Sequence, residues 1–226
     1  MSSTTDGVDV VAAAEAAFAH GEPVLIHDAA DREGEVDIVY PAAAVDPAAV
    51  QRLRNDAGGL ICVAIADEIA EAWDLPFLAD ALSHPAAEAA HLDYDDRSSF
   101  SLPVNHRETF TGITDDDRAL TISELGIAAE AAESGEFGAD AFAETFRSPG
   151  HVTLLRGAPN LLADRQGHTE LGLALAEAAG REPTVVVCEM VDDETGGART
   201  PAEARAYAER EGLTYVEGRE LLTRLG

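Results

Sequence analysis

The chain has 226 residues, 46% of them hydrophobic, which suffices for a substantial core in one large domain or two small ones. Fifteen basic residues against 43 acidic ones leave a formal charge of −28, a field that repels nucleic acid and anionic membranes, so neither is expected as a partner. All fifteen basic residues are arginine, which excludes chemistries that run through a lysine: Schiff-base aldolases, pyridoxal-phosphate enzymes and P-loop kinases.

Helical spacing opens the chain at VDVVAAAEAAFAH, and Gly21 stops it before the strand-like run PVLIHD at 23–28. An acidic loop, AADREGE, leads into a second strand, VDIVYP. Asp46-Pro47 then marks a helix start and Gly58-Gly59 its end. LICVAI at 60–65 has the length and β-branched content of a buried strand. From Ala66 to Arg97 prolines and the polar DYDDR allow only short helices and loop. SFSLPVN at 99–105 alternates like a strand, and TDDDRALTISELGIAAEAA reads as a helix with three aspartates at its positive end. HVTLLR, GHTELGLALAEAAG, TVVVCEM, PAEARAYAEREG and a short strand around Tyr215 complete an alternation of strand and helix. The expected fold is α/β, a single-domain layered sandwich over 1–226 around a mixed sheet flanked by helices.

No apolar stretch reaches membrane-spanning length, and the N-terminus lacks a basic flank and apolar core, so a soluble cytoplasmic protein is expected. Cys62 and Cys188 sit inside apolar runs and read as buried free thiols. So much acid on a chain with strong apolar runs fits a folded protein in a salt-rich cytoplasm, where the reach of charge falls to roughly 3 Å at 1 M. Full secondary structure in dilute, magnesium-free buffer would sink that reading.

Five short segments carry chemistry-bearing residues. In Asp31-Arg32-Glu33-Gly34-Glu35-Val36-Asp37 acids recur at every second position, so in extended backbone Glu33, Glu35 and Asp37 share a side. Converging carboxylates call for a cation, and magnesium suits them; a solvated hairpin in an acidic protein is the other reading. Arg165-Gln166-Gly167-His168-Thr169-Glu170 precedes an apolar helix whose free amides attract phosphate, with Arg165 as a clamp. An ordinary cap by Thr169 or His168 would look the same. Glu189 and His151, at the ends of apolar strands, are acid–base candidates that equally suit a solvent-facing Glu and a His beside a turn. Thr109-Phe110-Thr111-Gly112 is a second anion contact or a capped turn.

Together and in order these segments resemble the 3,4-dihydroxy-2-butanone 4-phosphate synthase family, over nearly the whole chain from Gly21 to Leu222. DREGEVD stands where the family usually has DRENEGD; GLICVAI, TGITDDDRALTI, FRSPGHVTLLR, RQGHTE and VCE follow in family order. The departures are Gly34 and Val36 in the acidic loop, where Val36 is expected to stiffen it, and GGAR for GTMAR. The resemblance implies conversion of ribulose 5-phosphate to 3,4-dihydroxy-2-butanone 4-phosphate and formate. It implies two magnesium ions held by Glu33 and His168, with manganese as the alternative ion. Substrate contacts fall to Arg32, Glu33, Asp37, Thr111, Arg165, Gly167, His168, Thr169 and Glu189, and catalysis to His151, Glu189 and Glu35. It further implies a homodimer with active sites at the subunit interface, and no fused cyclohydrolase domain. A different metal-dependent sugar-phosphate enzyme would use the same inventory, and formate release separates the two; a non-catalytic binder on the same scaffold would hold the sugar phosphate without consuming it.

Overall fold

The computed structural model describes residues 9–28, 34–87 and 98–226. Among them seven strands form one mixed sheet: β1 (Val24–His27), β2 (Val36–Pro41), β3 (Cys62–Ile65), β4 (Phe100–His106), β5 (Phe146–Arg156), β6 (Thr184–Glu189) and β7 (Thr214–Glu217). Their order is β4-β5-β3-β6-β2-β1-β7, with β3–β5 and β1–β7 parallel and the other neighbours antiparallel. Every residue of β1, β2 and β3 is buried, which is why these strands read as continuous apolar runs rather than alternating ones.

Helices cover both faces, as the alternation of elements predicts. The helices are α1 (Val10–Ala19), α2 (Pro47–Arg52), α3 (Asp67–Ala72), α4 (Leu78–Ala81), α5 (Asp115–Glu133), α6 (Ala139–Thr145), α7 (His168–Ala178), α8 (Pro201–Glu211) and α9 (Gly218–Leu225). α7 crosses β1, β2, β3 and β6. It lies on the face that carries Val39 and Val185, which stand so near Gly172 that an added Cβ would be 3.2 and 3.0 Å from them. α2 and α5 lie on the other face, where Cys188 Sγ meets the Leu53 carbonyl at 3.7 Å. Cys62 and Cys188 are buried free thiols, as expected.

Three stretches differ from the sequence reading. β5 begins at Phe146, so Ser148-Pro149-Gly150 lies inside the strand rather than leading into it. The Pro-Gly pair is accommodated beside the edge strand β4, whose register with β5 shifts between Val104 and Asn105. The predicted helix over 47–57 is regular only to Arg52 and finishes in a single wide turn, Leu53–Ala57, before Gly58. Val36, expected to stiffen the acidic loop, is instead the first buried residue of β2, opposite His27. α6 and α9 had no expectation attached, and α3 and α4 are the short helices of the weakly patterned stretch.

Candidate active site

Strand register gathers the chemistry at one end of the sheet. Val187, Cys62 and Thr153 form a row across β6, β3 and β5. Two residues beyond it lie Glu189 on β6 and His151 on β5, flanking the segment that enters β3. Alternation keeps each on the face of its row-mate, the face α7 covers. Asp37 on β2 is the cross-strand partner of Glu189, and α7 starts at the same end with His168.

Directly opposite residues on adjacent strands point the same way, so Asp37 and Glu189 present two carboxylates side by side. Asp37 is 1% exposed. Glu189 is pinned: its Oε2 accepts from the Leu60 N–H at 3.0 Å, and its carbonyl accepts from the Gly59 N–H at 3.0 Å. An added Cβ at Gly59 would stand 2.5 Å from Glu189 Oε2, so the Gly-Gly that ends a helix in the sequence also leaves room for this carboxylate. The Cys62 thiol, one row in from this pair, is pushed up by burial and then by the charges of Glu189 and Asp37.

His168, 6% exposed, reaches toward the same place. Its Nε2 is 3.2 Å from the Glu35 carbonyl and 3.5 Å from Asp37 Oδ1. Buried Asp28 shapes the loop here, its Oδ1 accepting from the N–H groups of Gly34 at 2.8 Å and Glu35 at 3.2 Å. Gly34 has φ +68°, a left-handed position that glycine or asparagine takes readily, which accounts for one departure from the family pattern. Glu35 precedes β2, so of the two described members of the expected carboxylate row Asp37 is held in a strand and Glu35 is not. Arg32 and Glu33 lie outside the described residues. Among the described residues no three His, Cys, Asp or Glu side chains stand together as a metal site.

α7 starts beside the Asp37–Glu189 pair with His168. Its N-cap is Gly167, with no side chain capping it, so the reading of Thr169 or His168 as an ordinary cap does not hold. Thr169 is buried at 4% exposure on the first turn. Glu170 does not sit at the surface near the helix dipole; it is fully buried, bound to Arg165 Nη1 at 3.0 Å and to the Ala158 N–H at 3.1 Å. Burial pushes its carboxyl up, and the Arg165 guanidinium opposes that. Arg165 is thereby held beside the helix start.

Thr111 belongs to a turn organised by Asp117. That carboxylate accepts from the N–H groups of Phe110, Thr111 and Gly112 and from the Thr111 hydroxyl, at 2.7 to 3.3 Å. The Gly112 amide leads the set of hydrogen bonds that hold the Asp117 carboxyl below the usual range. A depressed carboxyl stabilises its turn above the ordinary value and loses that contribution as pH falls through the folded one. The Gly112 amide proton should therefore titrate by NMR with a midpoint below the ordinary aspartate value of about 3.9; a midpoint at or above it would break the assignment.

Exposed His151 is tied to Asn105, whose side chain is 3% exposed and meets it twice. Asn105, Asp28, the place of Gly59 beside Glu189 and the burial of Glu170 went unnoticed in the sequence. Asp28 carried the one usable signal, an acid ending an apolar strand.

Among the described residues no helix is long and apolar enough to cross a membrane. A family model described as 3,4-dihydroxy-2-butanone 4-phosphate synthase matches residues 12–224. The chain is 50% identical over 215 residues to the Archaeoglobus fulgidus protein of that name, covering 91% of this chain and 90% of the relative. The Methanothermobacter thermautotrophicus protein is 43% identical, with 91% of each chain covered. Among solved structures, one of a 3,4-dihydroxy-2-butanone 4-phosphate synthase in complex with two magnesium ions is similar at TM-score 0.78 and 30% identity, covering 93% of this chain and 94% of that one. The Candida albicans synthase is similar at TM-score 0.78 and 26% identity, covering 96% and 97%.

Proposed function

The chain belongs to the 3,4-dihydroxy-2-butanone 4-phosphate synthase family, whose reaction converts D-ribulose 5-phosphate to L-3,4-dihydroxy-2-butanone 4-phosphate and formate for riboflavin biosynthesis, and on that premise we propose how its residues divide the work. The observation that carries the proposal is the Asp37–Glu189 pair. Two like charges directly opposite on one face repel unless a cation or proton stands with them.

Carboxylates and one imidazole are a donor set that suits a magnesium ion retaining waters and substrate oxygens, and manganese as the alternative. Glu33 and His168 would hold the metal, two ions in the full site. When bound, it supplies positive charge to the carbonyl and hydroxyl oxygens of the sugar. Asp37 and Arg32 contact the same hydroxyls.

The substrate's phosphate goes to the N-terminal end of α7 at Gly167, His168 and Thr169, where the helix dipole favours an anion, with Arg165 adding a planar cation steadied by Glu170. Thr111 supplies a contact from the turn organised by Asp117. Fixing the phosphate at one end of a short sugar orients the carbons over Glu189, which is the entropic part of catalysis. Loss of a proton beside the carbonyl leaves an enediolate; dehydration, a skeletal rearrangement and release of one carbon as formate follow. Glu189, His151 and Glu35 move the protons. The Leu60 N–H holds the Glu189 carboxylate and the Gly59 N–H holds its backbone carbonyl while it does so.

A second copy of the chain completes the site in this reading. Phe110 is 93% exposed and Ile113 51%, both on the Thr111 turn, and Leu60 beside Glu189 is 49% exposed. Large apolar side chains left bare around polar machinery suit a partner subunit.

The test is an assay in molar potassium chloride with magnesium and ribulose 5-phosphate, read by proton NMR with and without chelator. Formate that appears only with free magnesium is the expected result. Isomerised or cleaved sugar without formate would overturn the reading in favour of another sugar-phosphate enzyme. A folded protein that binds the sugar phosphate and consumes none would make it a binding protein.

A further inference from the structure

We infer that Asn105 is a positioning residue that sets which ring nitrogen of His151 carries the hydrogen, so that the imidazole enters the reaction as an Nε2–H donor. The inference rests on the reading of His151 above and deepens it. Asn105 Oδ1 accepts from the His151 backbone N–H at 2.8 Å, and its Nδ2 stands 3.2 Å from His151 Nδ1. A backbone N–H can only donate, so the amide oxygen must face it and the amide nitrogen must face the ring. The amide nitrogen can also only donate. Nδ1 is therefore the acceptor, and in the neutral ring the hydrogen sits on Nε2, on the far side of the ring from Asn105.

The His151 backbone N–H fixes the orientation of the amide, and close packing holds the side chain in place. A Cβ added at Gly112 would lie 2.0 Å from Asn105 Nδ2, and one added at Gly150 would lie 1.9 Å from the Val104 carbonyl carbon and 2.3 Å from Asn105 N. Gly112 itself is bound by its N–H to Asp117 at 2.7 Å. Thus the turn at Thr111 and the β5 segment close on the amide from two sides, and the buried side chain keeps both hydrogen bonds that its desolvation demands.

The experiment is long-range nitrogen–proton NMR on the full protein labelled at its seven histidines, His151 being assigned by its absence from H151Q. In the parent, a pyridine-like Nδ1 and a pyrrole-like Nε2 are expected. In N105D the carboxylate still accepts from the backbone N–H but cannot donate to the ring, so the pattern should reverse. In the same variant kcat should fall roughly 10- to 100-fold, within the range of a misplaced acid–base group, with KM moving less than about twofold. A pyrrole-like Nδ1 in the parent overturns the inference without any variant having to fold. So does an N105D protein with unchanged ring signals and turnover. The ring measurement is independent of turnover: a fully active H151Q would overturn the catalytic part of His151 and leave the assignment of the hydrogen supported.

Discussion

Replacing Glu189 by glutamine should lower kcat at least about a hundredfold, some 2.7 kcal/mol of transition-state stabilisation, while leaving the protein folded. Glutamine is nearly isosteric, and its amide oxygen can still accept from the Leu60 N–H that holds Oε2 at 3.0 Å. Gly59 leaves space for either side chain without a shift. What disappears is the charge and the ability to take a proton. Stability should respond in the opposite direction to activity. Removing one of two carboxylates placed directly opposite on β2 and β6 relieves their repulsion, so without metal the thermal midpoint of E189Q should equal or exceed the parent's. Turnover within a few-fold of the parent would remove Glu189 from the proton-moving set. A loss of activity matched by a lower midpoint would make its role structural.

How the sequence maps onto this site depends on where the deciding interactions lie. The strands that carry Asp37 and Glu189 were legible as short apolar runs with an acid near one end, and β5 only from His151 onward. The start of α7 was legible because a glycine precedes a long apolar helix. The pairing of Asp37 with Glu189 was not, since a register between residues so far apart in sequence is written in neither segment alone. Asn105 was missed for the same reason: an asparagine at a strand end looks like any turn residue until the β4–β5 register brings it to His151. The burial of Glu170 was not legible because the helix dipole favours an acid in the first turn whether or not a tertiary partner buries it. Tertiary burial against Arg165 and Ala158 decided instead. The Ser-Pro-Gly run was taken as a lead-in to β5 because those residues break strands in isolation. Close packing of Gly150 on the β4 backbone absorbs it.

Stripping divalent metal with chelator should abolish formate production, and adding magnesium back should restore it. Activity alone would not locate the ion, because a chain of charge −28 gathers magnesium over its whole surface. Molar potassium chloride separates the two effects. At that ionic strength screening acts within roughly 3 Å, so diffuse association contributes little and only a coordinated ion retains a strong hold. Magnesium at about a hundred times its dissociation constant then stabilises the folded state by about 2.7 kcal/mol. For a chain of this size that is a rise of roughly 5 to 11 °C in thermal midpoint. His168→Ala and Glu33→Ala should each remove most of that rise and weaken magnesium binding by calorimetry, and Glu33→Ala should abolish turnover. The substitution at His168 also releases its contacts with the Glu35 carbonyl and Asp37, so its metal-free midpoint is the proper baseline for the comparison. A parent-like rise in both variants would place the ion elsewhere, and the Asp37–Glu189 pair would then need a proton rather than a metal to offset its repulsion.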